Sequence, residues 1–311
     1  ADLVVVSSNA NQRVLNSFMG RLNYFFEDKY LLTASYRADG SSVFGENNKW
    51  GYFPSASVAW RASKEAFISR LNIFSDLKFR ASWGITGNQA ISPYQTLPKV
   101  LSGRNYDYNG TDQTTDLGVA VATYGASAPN PSLKWESTTQ INFGIDVGLF
   151  GGRLNATVDY YTKTTNDLLM SRTLPVYTGF RVRTDNIGSI RNRGIEIAIS
   201  GDPVVGKFRW NTGFNISANR NKVLSLGDVP DGRIGFPTND GGYALGNPLM
   251  YLVEGEPYGQ MYGYGFEGIW GSDKSSQAAI YGELPGDEKW TDVNKDSIID
   301  VKDLKVIGNA F

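Results

Sequence analysis

The sequence predicts an all-β fold: a portion of an antiparallel transmembrane β-barrel with long extracellular loops. Three observations carry that expectation. Segments of about ten residues alternate apolar and polar side chains with period two, and about ten residues is what a tilted strand needs to cross a bilayer. The links between these segments are alternately short and long, as short periplasmic turns and long extracellular loops are. Aromatic side chains gather beside the short links, where a membrane interface would place them.

The elements follow in order. The first is FMGRLNYFF, with Phe18, Gly20, Leu22, Tyr24 and Phe26 on one face and Met19, Arg21 and Asn23 on the other. After EDK, YLLTASYRA repeats the rhythm, setting Tyr30, Leu32, Ala34, Tyr36 and Ala38 against Thr33, Ser35 and Arg37. YFPSASVAW and LKFRASWGI supply two more strands, and Pro54, which has no ladder N–H, is expected at a strand start or a bulge. TTQINFGIDVGL, RLNATVDYYTK, RGIEIAIS and KFRWNTGFNISAN complete a set of eight strands.

Alternation alone fits a soluble sandwich as well, with the apolar face as core instead of lipid surface. The links favour the barrel. EDK, FGGR and DPVVGK are short, whereas the connection after Thr86 runs about 48 residues and the one after the RLNATVDYYTK strand about 29. Long structureless connections on alternate links are uncommon in compact soluble domains. Tyr24, Phe25, Phe26, Tyr30, Trp60, Phe150 and Phe208 flank the short links and are expected to form an aromatic girdle.

Composition narrows the chemistry. A net charge of -1 with scattered Lys and Arg gives no footprint for nucleic acid. With no Cys and no His among 311 residues, disulfides, thiolate zinc sites, cysteine nucleophiles and histidine triads are all excluded. The 35 Gly, 17 Tyr, 16 Phe and 7 Trp suit β structure better than helices. No apolar run reaches the length of a transmembrane helix, and no signal peptide is visible. The chain opens on ADLVVVSSNANQ without Met, as a mature product or an internal piece would.

Several segments go beyond pattern. YLLTASYRADGSSVFGENNKWGYFPSASVAWRASKEAF resembles the R-x-DGSS-x-FG...N-x-WG-x-FPS-x-S-x-AW block of SusC/RagA-type TonB-dependent transporters of Bacteroidetes. LKFRASWGITGNQ, the run from LKWESTTQ to TTNDLL, NIGSIRNRGIEI and GD-x-KW-x-DVNKD...D...D-x-K-x-IGNA look like the same family in the same order, over residues 13 to 311. The resemblance implies a barrel of approximately 22 strands closed by a plug, energised by TonB and capped by a SusD-like surface lipoprotein, in the outer membrane. It implies import of oligosaccharides or peptides without covalent chemistry. Residues 1–311 then correspond to part of the barrel, lacking the plug, the TonB box and further strands, and Phe311 begins a next strand.

Candidate sites follow from spacing. TDVNKDSIIDVKDL places Asp292, Asn294, Asp296, Asp300 and Asp303 at positions 1, 3, 5, 9 and 12 of an EF-hand-type calcium loop, with the Ile298 carbonyl at position 7. Ser297 stands where glycine is usual, and GELPGDEKW before the loop is no entering helix. The expectation is one structural Ca²⁺ stiffening an extracellular loop; the blander alternative is an Asx-rich turn without metal. Loop aromatics with polar neighbours, Tyr94, Tyr106, Tyr108 and Tyr124, then Tyr177 and Phe180 with Arg181, are candidate contacts for sugars or peptides, although loop-on-loop packing is the default for such residues.

Arg21, Arg37, Arg80, Asp146, Asp159, Glu196 and Arg209 fall on the polar face, where wall or plug salt bridges are the expected role. The acid pairs Asp287 with Glu288 and Glu254 with Glu256 read as solvated carboxylates, and YGQMYGYGFEG lacks the strand-to-helix setting of a phosphate cradle. No enzyme constellation survives. The rival readings are a soluble or surface-attached, calcium-stabilised β-rich adhesin and a small closed barrel of eight strands.

Overall fold

The structure is a computed structural model that describes residues 10–97, 127–178, 180, 182–229, 232–236, 243–244, 247–248 and 250–309. The chain divides into two units, Ala1–Arg220 and Asn221–Phe311. Among the described residues no helix is long and apolar enough to cross a membrane, a statement that does not bear on strands.

Eight long strands are present: β1 Leu15–Phe26, β2 Tyr30–Ser41, β3 Trp50–Arg61, β4 Phe74–Asn88, β5 Glu136–Leu149, β6 Leu154–Asn166, β7 Ser189–Val204 and β8 Trp210–Ser225. They form one sheet in sequence order, each beside the next. The pairings from β1 through β7 are antiparallel. β1 and β8 lie at opposite ends of this order, and among the described residues no pairing joins them.

Register carries the two-faced pattern from strand to strand. One apolar row runs Phe26, Tyr30, Trp60, Phe79, Ile145, Val158, Ile197, each residue directly opposite the next. The row two residues along runs Tyr24, Leu32, Val58, Ala81, Phe143, Tyr160, Ile195. A slip of one residue at any ladder would turn that strand's apolar side chains to the opposite face. Rings within the rows also touch: Phe26 stacks on Tyr30 and Trp60 on Phe79, with centroids 6.4 and 5.7 Å apart. Such cross-strand aromatic pairs are the sheet's local stabilising unit.

The short links are tight turns. Glu27 and Asp28 both have positive φ, 50° and 53°, and the Lys29 N–H donates to the Phe26 carbonyl at 3.0 Å. Phe150 and Gly151 do the same at 55° and 66°, with the Gly152 N–H on the Leu149 carbonyl at 3.1 Å. Consecutive left-handed residues give the turn the twist that matches the flanking strands.

Two details differ from the expectations. Pro54 is the fifth residue of β3, opposite Tyr36 of β2, and is neither at the strand's start nor in a bulge. It is tolerated because the β3–β4 ladder begins only at Ser55, leaving the strand paired on one side at Pro54. Phe25 pairs with Leu31 on the face opposite Tyr24 and Phe26, so it is not part of a girdle on the apolar side. The other girdle residues Tyr24, Phe26, Tyr30, Phe150 and Phe208 are exposed, and Trp60 is half-buried under Phe79.

The buried core of the first unit lies at the long-link end. Val43, Phe44, Phe53, Ile91, Leu133 and Trp135 pack together, with Ile85 and Leu169 against them. In the second unit, strands Arg233–Phe236, Met250–Val253, Gln260–Gly263 and Lys305–Asn309 form one sheet in that order. Phe266–Ile269 pairs antiparallel with Glu288–Trp290. Among the described residues of this unit, Val223, Leu226, Leu252 and Ala278 are fully buried apolar ones.

Candidate functional site

The DGSSVFG...WGYFPS block folds into a closed knot for identifiable reasons. Arg37 Nε donates to both carboxylate oxygens of the buried Asp39 at 2.8 and 2.7 Å. Gly40 lies under the Trp50 ring, where a Cβ would come within 3.0 Å of it. A Cβ on Gly45 would overlap the Pro131 carbonyl oxygen, and one on Gly51 would stand 2.5 Å from Phe53 Cζ and 3.0 Å from Trp135 Cγ. Trp135 in turn donates its Nε1–H to the Lys49 carbonyl at 2.9 Å and meets Phe44 and Phe53 with ring centroids 5.1 and 5.4 Å away. The glycines of the motif are therefore set by close approach, and the block clamps the long-link end of β2 and β3.

On the polar face the ions form a network instead of standing alone. Arg80, Gly144, Asp159 and Glu196 are successive cross-strand partners. Gly144 carries no side chain, so the Arg80 guanidinium lies across it; a Cβ there would be 2.6 Å from Arg80 Nη2. Arg80 donates to Asp146 at 2.9 and 3.0 Å and to Asp159 at 3.1 Å, and Lys78 reaches Asp146 at 2.8 Å. The Thr157 hydroxyl adds a 3.1 Å bond to Asp146. These are wall salt bridges, the role expected of Arg80, Asp146 and Asp159.

The Asp/Asn loop is well formed. Asp292 accepts from the N–H groups of Lys295 and Ser297 at 2.6 and 2.8 Å, and from the Tyr281 hydroxyl at 3.2 Å. Asn294 and Asp296 cap the N–H groups of Asp296 and Ile298 at 3.1 and 2.9 Å. Asp303, 0% exposed, takes the Val293 and Asp300 N–H groups at 2.8 and 2.9 Å, while Asp300 takes that of Lys302 at 2.8 Å. Ser297 adopts φ +66°, the turn that glycine would favour, and Lys295 adopts +60°. Burial works against the ionised Asp292, but its backbone N–H partners at Ser297 and Lys295, with Tyr281, outweigh that and hold its carboxyl below the usual range. Among the described residues no three or more Asp, Glu, His or Cys side chains converge as a metal-holding group. The carboxylates are spent first on the loop's own backbone.

Of the loop residues expected to touch cargo, Tyr106, Tyr108, Tyr124 and Arg181 lie outside the described residues. Tyr94 sits in a turn with φ +65° and accepts the Leu97 N–H at 3.3 Å. Tyr177 is 89% exposed in the short turn Val176–Thr178, and the Phe180 N–H reaches the Thr178 hydroxyl at 3.3 Å.

Sequence reasoning missed a cleft of about 500 Å³ beside the Asp/Asn loop, lined by Trp270, Tyr281 and Trp290 with Glu267, Lys289 and Asp292. Trp270 and Tyr281 face each other at 5.8 Å, and Lys289 Nζ lies 5.1 Å over the Trp270 ring. Lys289 also pairs with Glu267 at 2.7 Å, which depresses the Glu267 carboxyl. The pairing of Phe266–Ile269 with Glu288–Trp290 is what brings Trp270 and Trp290 to one cleft. That short two-strand ladder leaves no period-two signal of useful length, so the sequence pattern concealed it.

The comparisons agree with this geometry. Residues 4–298 match the family model described as TonB dependent receptor-like, beta-barrel. A TonB-dependent receptor of Formosa agariphila is 39% identical over 307 residues, covering 97% of this chain and 30% of that protein. The TonB-dependent receptor SusC of Bacteroides thetaiotaomicron is 40% identical over 230 residues, covering 71% of this chain and 22% of that protein. Among solved structures, that of the RagAB peptide transporter superposes with a TM-score of 0.74 at 27% identity, over 95% of this chain and 30% of its own. The chain thus spans about a third or less of the length of these relatives. A sheet of membrane-length strands with one apolar and one ionic face, matched over residues 4–298 by the family model and over 97% of its length by the Formosa receptor, belongs to the TonB-dependent receptor β-barrel family.

Proposed function

We propose that this chain is part of the barrel wall of an outer-membrane importer, energised through TonB, that takes up oligosaccharides or peptides together with a SusD-like surface lipoprotein. The observation that carries the reading is the pair of unbroken rows: apolar side chains opposite one another across seven strands on one face, and the Arg80–Asp146–Asp159 network on the other. Lipid suits the first face and a polar lumen the second. The chain performs no covalent step in this reading; its residues shape and charge a passage. The similarity to SusC supports the TonB-dependent receptor reading, and that to the RagAB peptide transporter supports peptides as a cargo class. The cleft of Trp270, Tyr281 and Trp290 offers cargo ring faces and charged groups together, the combination that small polar ligands use.

Ca²⁺ at the Asp292–Asp303 loop is part of the proposal. The left-handed turn at Ser297 supports it, because the loop already has the bend that the ion's oxygen shell requires. An ion would draw Asp292, Asn294, Asp296 and Asp300 inward, using lone pairs that the backbone N–H groups leave over.

The test uses the full-length receptor expressed from its own locus. It should float with outer membranes, resist extraction by alkaline carbonate and bring down a lipoprotein of the SusD type. Cells lacking TonB should lose uptake of the cargo while retaining its surface binding. A protein recovered in the soluble fraction that binds its ligand independently of TonB would favour the adhesin reading instead.

A further inference from the structure

We propose that the short-turn end of β6, β7 and β8 holds a binding groove for one glycerophospholipid, with the phosphate on Arg153 and an acyl chain across Gly201. The groove, about 440 Å³, is lined by Phe150, Leu154, Ile199, Gly201 and Phe214, with Arg153 at its polar end. That volume is in the range of small-ligand sites. Leu154 and Gly201 are direct cross-strand partners. The row that carries Ile195, Ile197 and Ile199 therefore ends in a residue with no side chain; the Arg153 carbonyl closes on it, 2.7 Å from where a Cβ would stand, and the groove runs past it between Ile199, Leu154 and Phe214.

Arg153 is built into this end. Its Nε and Nη2 donate to the Asp202 carbonyl at 3.3 Å each, and Nη2 donates to the Pro203 carbonyl at 3.0 Å. Both partners are neutral, so the guanidinium is fixed without losing its charge. Asp202 also lines the groove, and its carboxylate accepts from Asn211 Nδ2 at 3.0 Å. A fixed Arg with remaining N–H donors is suited to a phosphate, and charge-assisted bonds of this kind are the stronger ones.

The other end is apolar and open. Phe150 is 72% exposed and Phe214 60% exposed. Phe150 holds φ +55°, an outlier for a bulky residue in a turn whose next two residues are glycines. That turn conformation sets the Phe150 ring against the groove. The occupant follows from charge and continuity: a molecule with an anionic head and a long apolar tail, in a groove opening from the same face as the apolar rows. Membrane phospholipid has that chemistry. The inference rests on the membrane reading of the preceding section.

The test is native mass spectrometry of the full-length receptor in mild detergent, titrated with dioleoyl phosphatidylglycerol or dioleoyl phosphatidylethanolamine. The parent should retain one tightly held phospholipid. Arg153→Gln should lower its affinity about tenfold, the loss of roughly one charge-assisted hydrogen bond, and Arg153→Lys should recover part of it. Phe214→Ala should also weaken retention, whereas Phe18→Ala, on the same face but distant in the sheet order, should not. Equal retention by parent, R153Q and F214A in protein that still floats with membranes overturns the groove and leaves the transporter reading standing. A bound detergent that neither lipid displaces also overturns it. Failure of the parent to float with membranes overturns both.

Discussion

Adding one methyl group at Gly87 should damage the long-link end of the wall more than most substitutions there. A Cβ at Gly87 would overlap the Phe53 ring, lying 2.9 Å from Cε2 and closer still to two other ring atoms. Comfortable carbon contacts are about 3.5–4.0 Å. The ring has little room to retreat: Trp135 stands edge-on to it at 5.4 Å and 71°, and the Gly51 backbone lies on the same side chain. Overpacking of a closed core costs about 1–3 kcal/mol, and a ring confined in this way places Gly87→Ala near the upper end, about 2–3 kcal/mol. Phe53→Leu alone should cost about 1–2 kcal/mol through lost burial and a small cavity. Combined, the two changes relieve each other, because the shorter side chain vacates the space the methyl needs. The double variant should therefore be more stable than the sum of the single losses by about 1–2 kcal/mol. Chemical unfolding of the full-length receptor in detergent, followed by tryptophan fluorescence, reads all four corners of the cycle. Additivity within about 0.5 kcal/mol would show that Gly87 and Phe53 do not meet, and the packing account of the motif would fall with it.

Three further outcomes follow from the same geometry. Asp146→Asn should cost about 1–2 kcal/mol in the same unfolding assay; a fully buried broken pair costs more, but the Asp146 side chain is 19% exposed and Arg80 keeps Asp159. Ser297→Gly should relieve a left-handed non-glycine residue by about 1 kcal/mol and slow hydrogen exchange across residues 292–303 about fivefold. On acidification the Asp/Asn loop should hold to about pH 5 and open below about pH 4. Asp292 and Glu267 have depressed folded values, so their stabilisation is present above the unfolded carboxylate range and is lost as pH falls through the folded ones. Glu283, pushed up by burial and by Asp287, works in the opposite sense and softens the loss. With no His in the chain, opening between pH 8 and 5 in exchange measurements would contradict this account.

The wall was legible in the sequence because a two-residue period sustained over eight or more residues has few alternatives. Eight strands appear where the alternation placed them, most of them extended at their ends by polar or glycine residues such as Asp39, Gly40 and Ser41 that break the pattern without leaving the ladder; β8 instead begins at Trp210, so Lys207, Phe208 and Arg209 fall outside it. Pro54 was misplaced because a ladder's starting point depends on the neighbouring strand, which one strand's sequence does not contain. The packed knot was illegible for a related reason. Val43 lies in the link before β3, Phe53 in β3 itself, and Ile91, Leu133 and Trp135 in the link between β4 and β5, and no local period joins them. For the Asp/Asn loop, spacing revealed the residue types but not their use. Asp and Asn that suit an ion also suit backbone capping, and Asp292 and Asp303 show the second use in detail.

The location of the buried residues has a consequence for how this wall is held. In β1 every residue is exposed, and β8 shows no buried residue until Val223, although these are 12- and 16-residue strands at the two ends of the sheet order. Long edges of this kind are left unpaired only at the risk of association with other chains, so they demand neighbouring strands that the eight do not provide to one another. The apolar rows likewise gain little in water and much in lipid. Within the first unit, close packing of the usual protein kind is concentrated at the long-link end, around Phe44, Phe53 and Trp135. It follows that substitutions on the apolar rows should be tolerated wherever they stay apolar, while single-methyl changes at Gly45, Gly51 or Gly87 should not. On the membrane reading proposed above, the wall depends on bilayer and barrel for its long surfaces, and on its own side chains only where the loops begin.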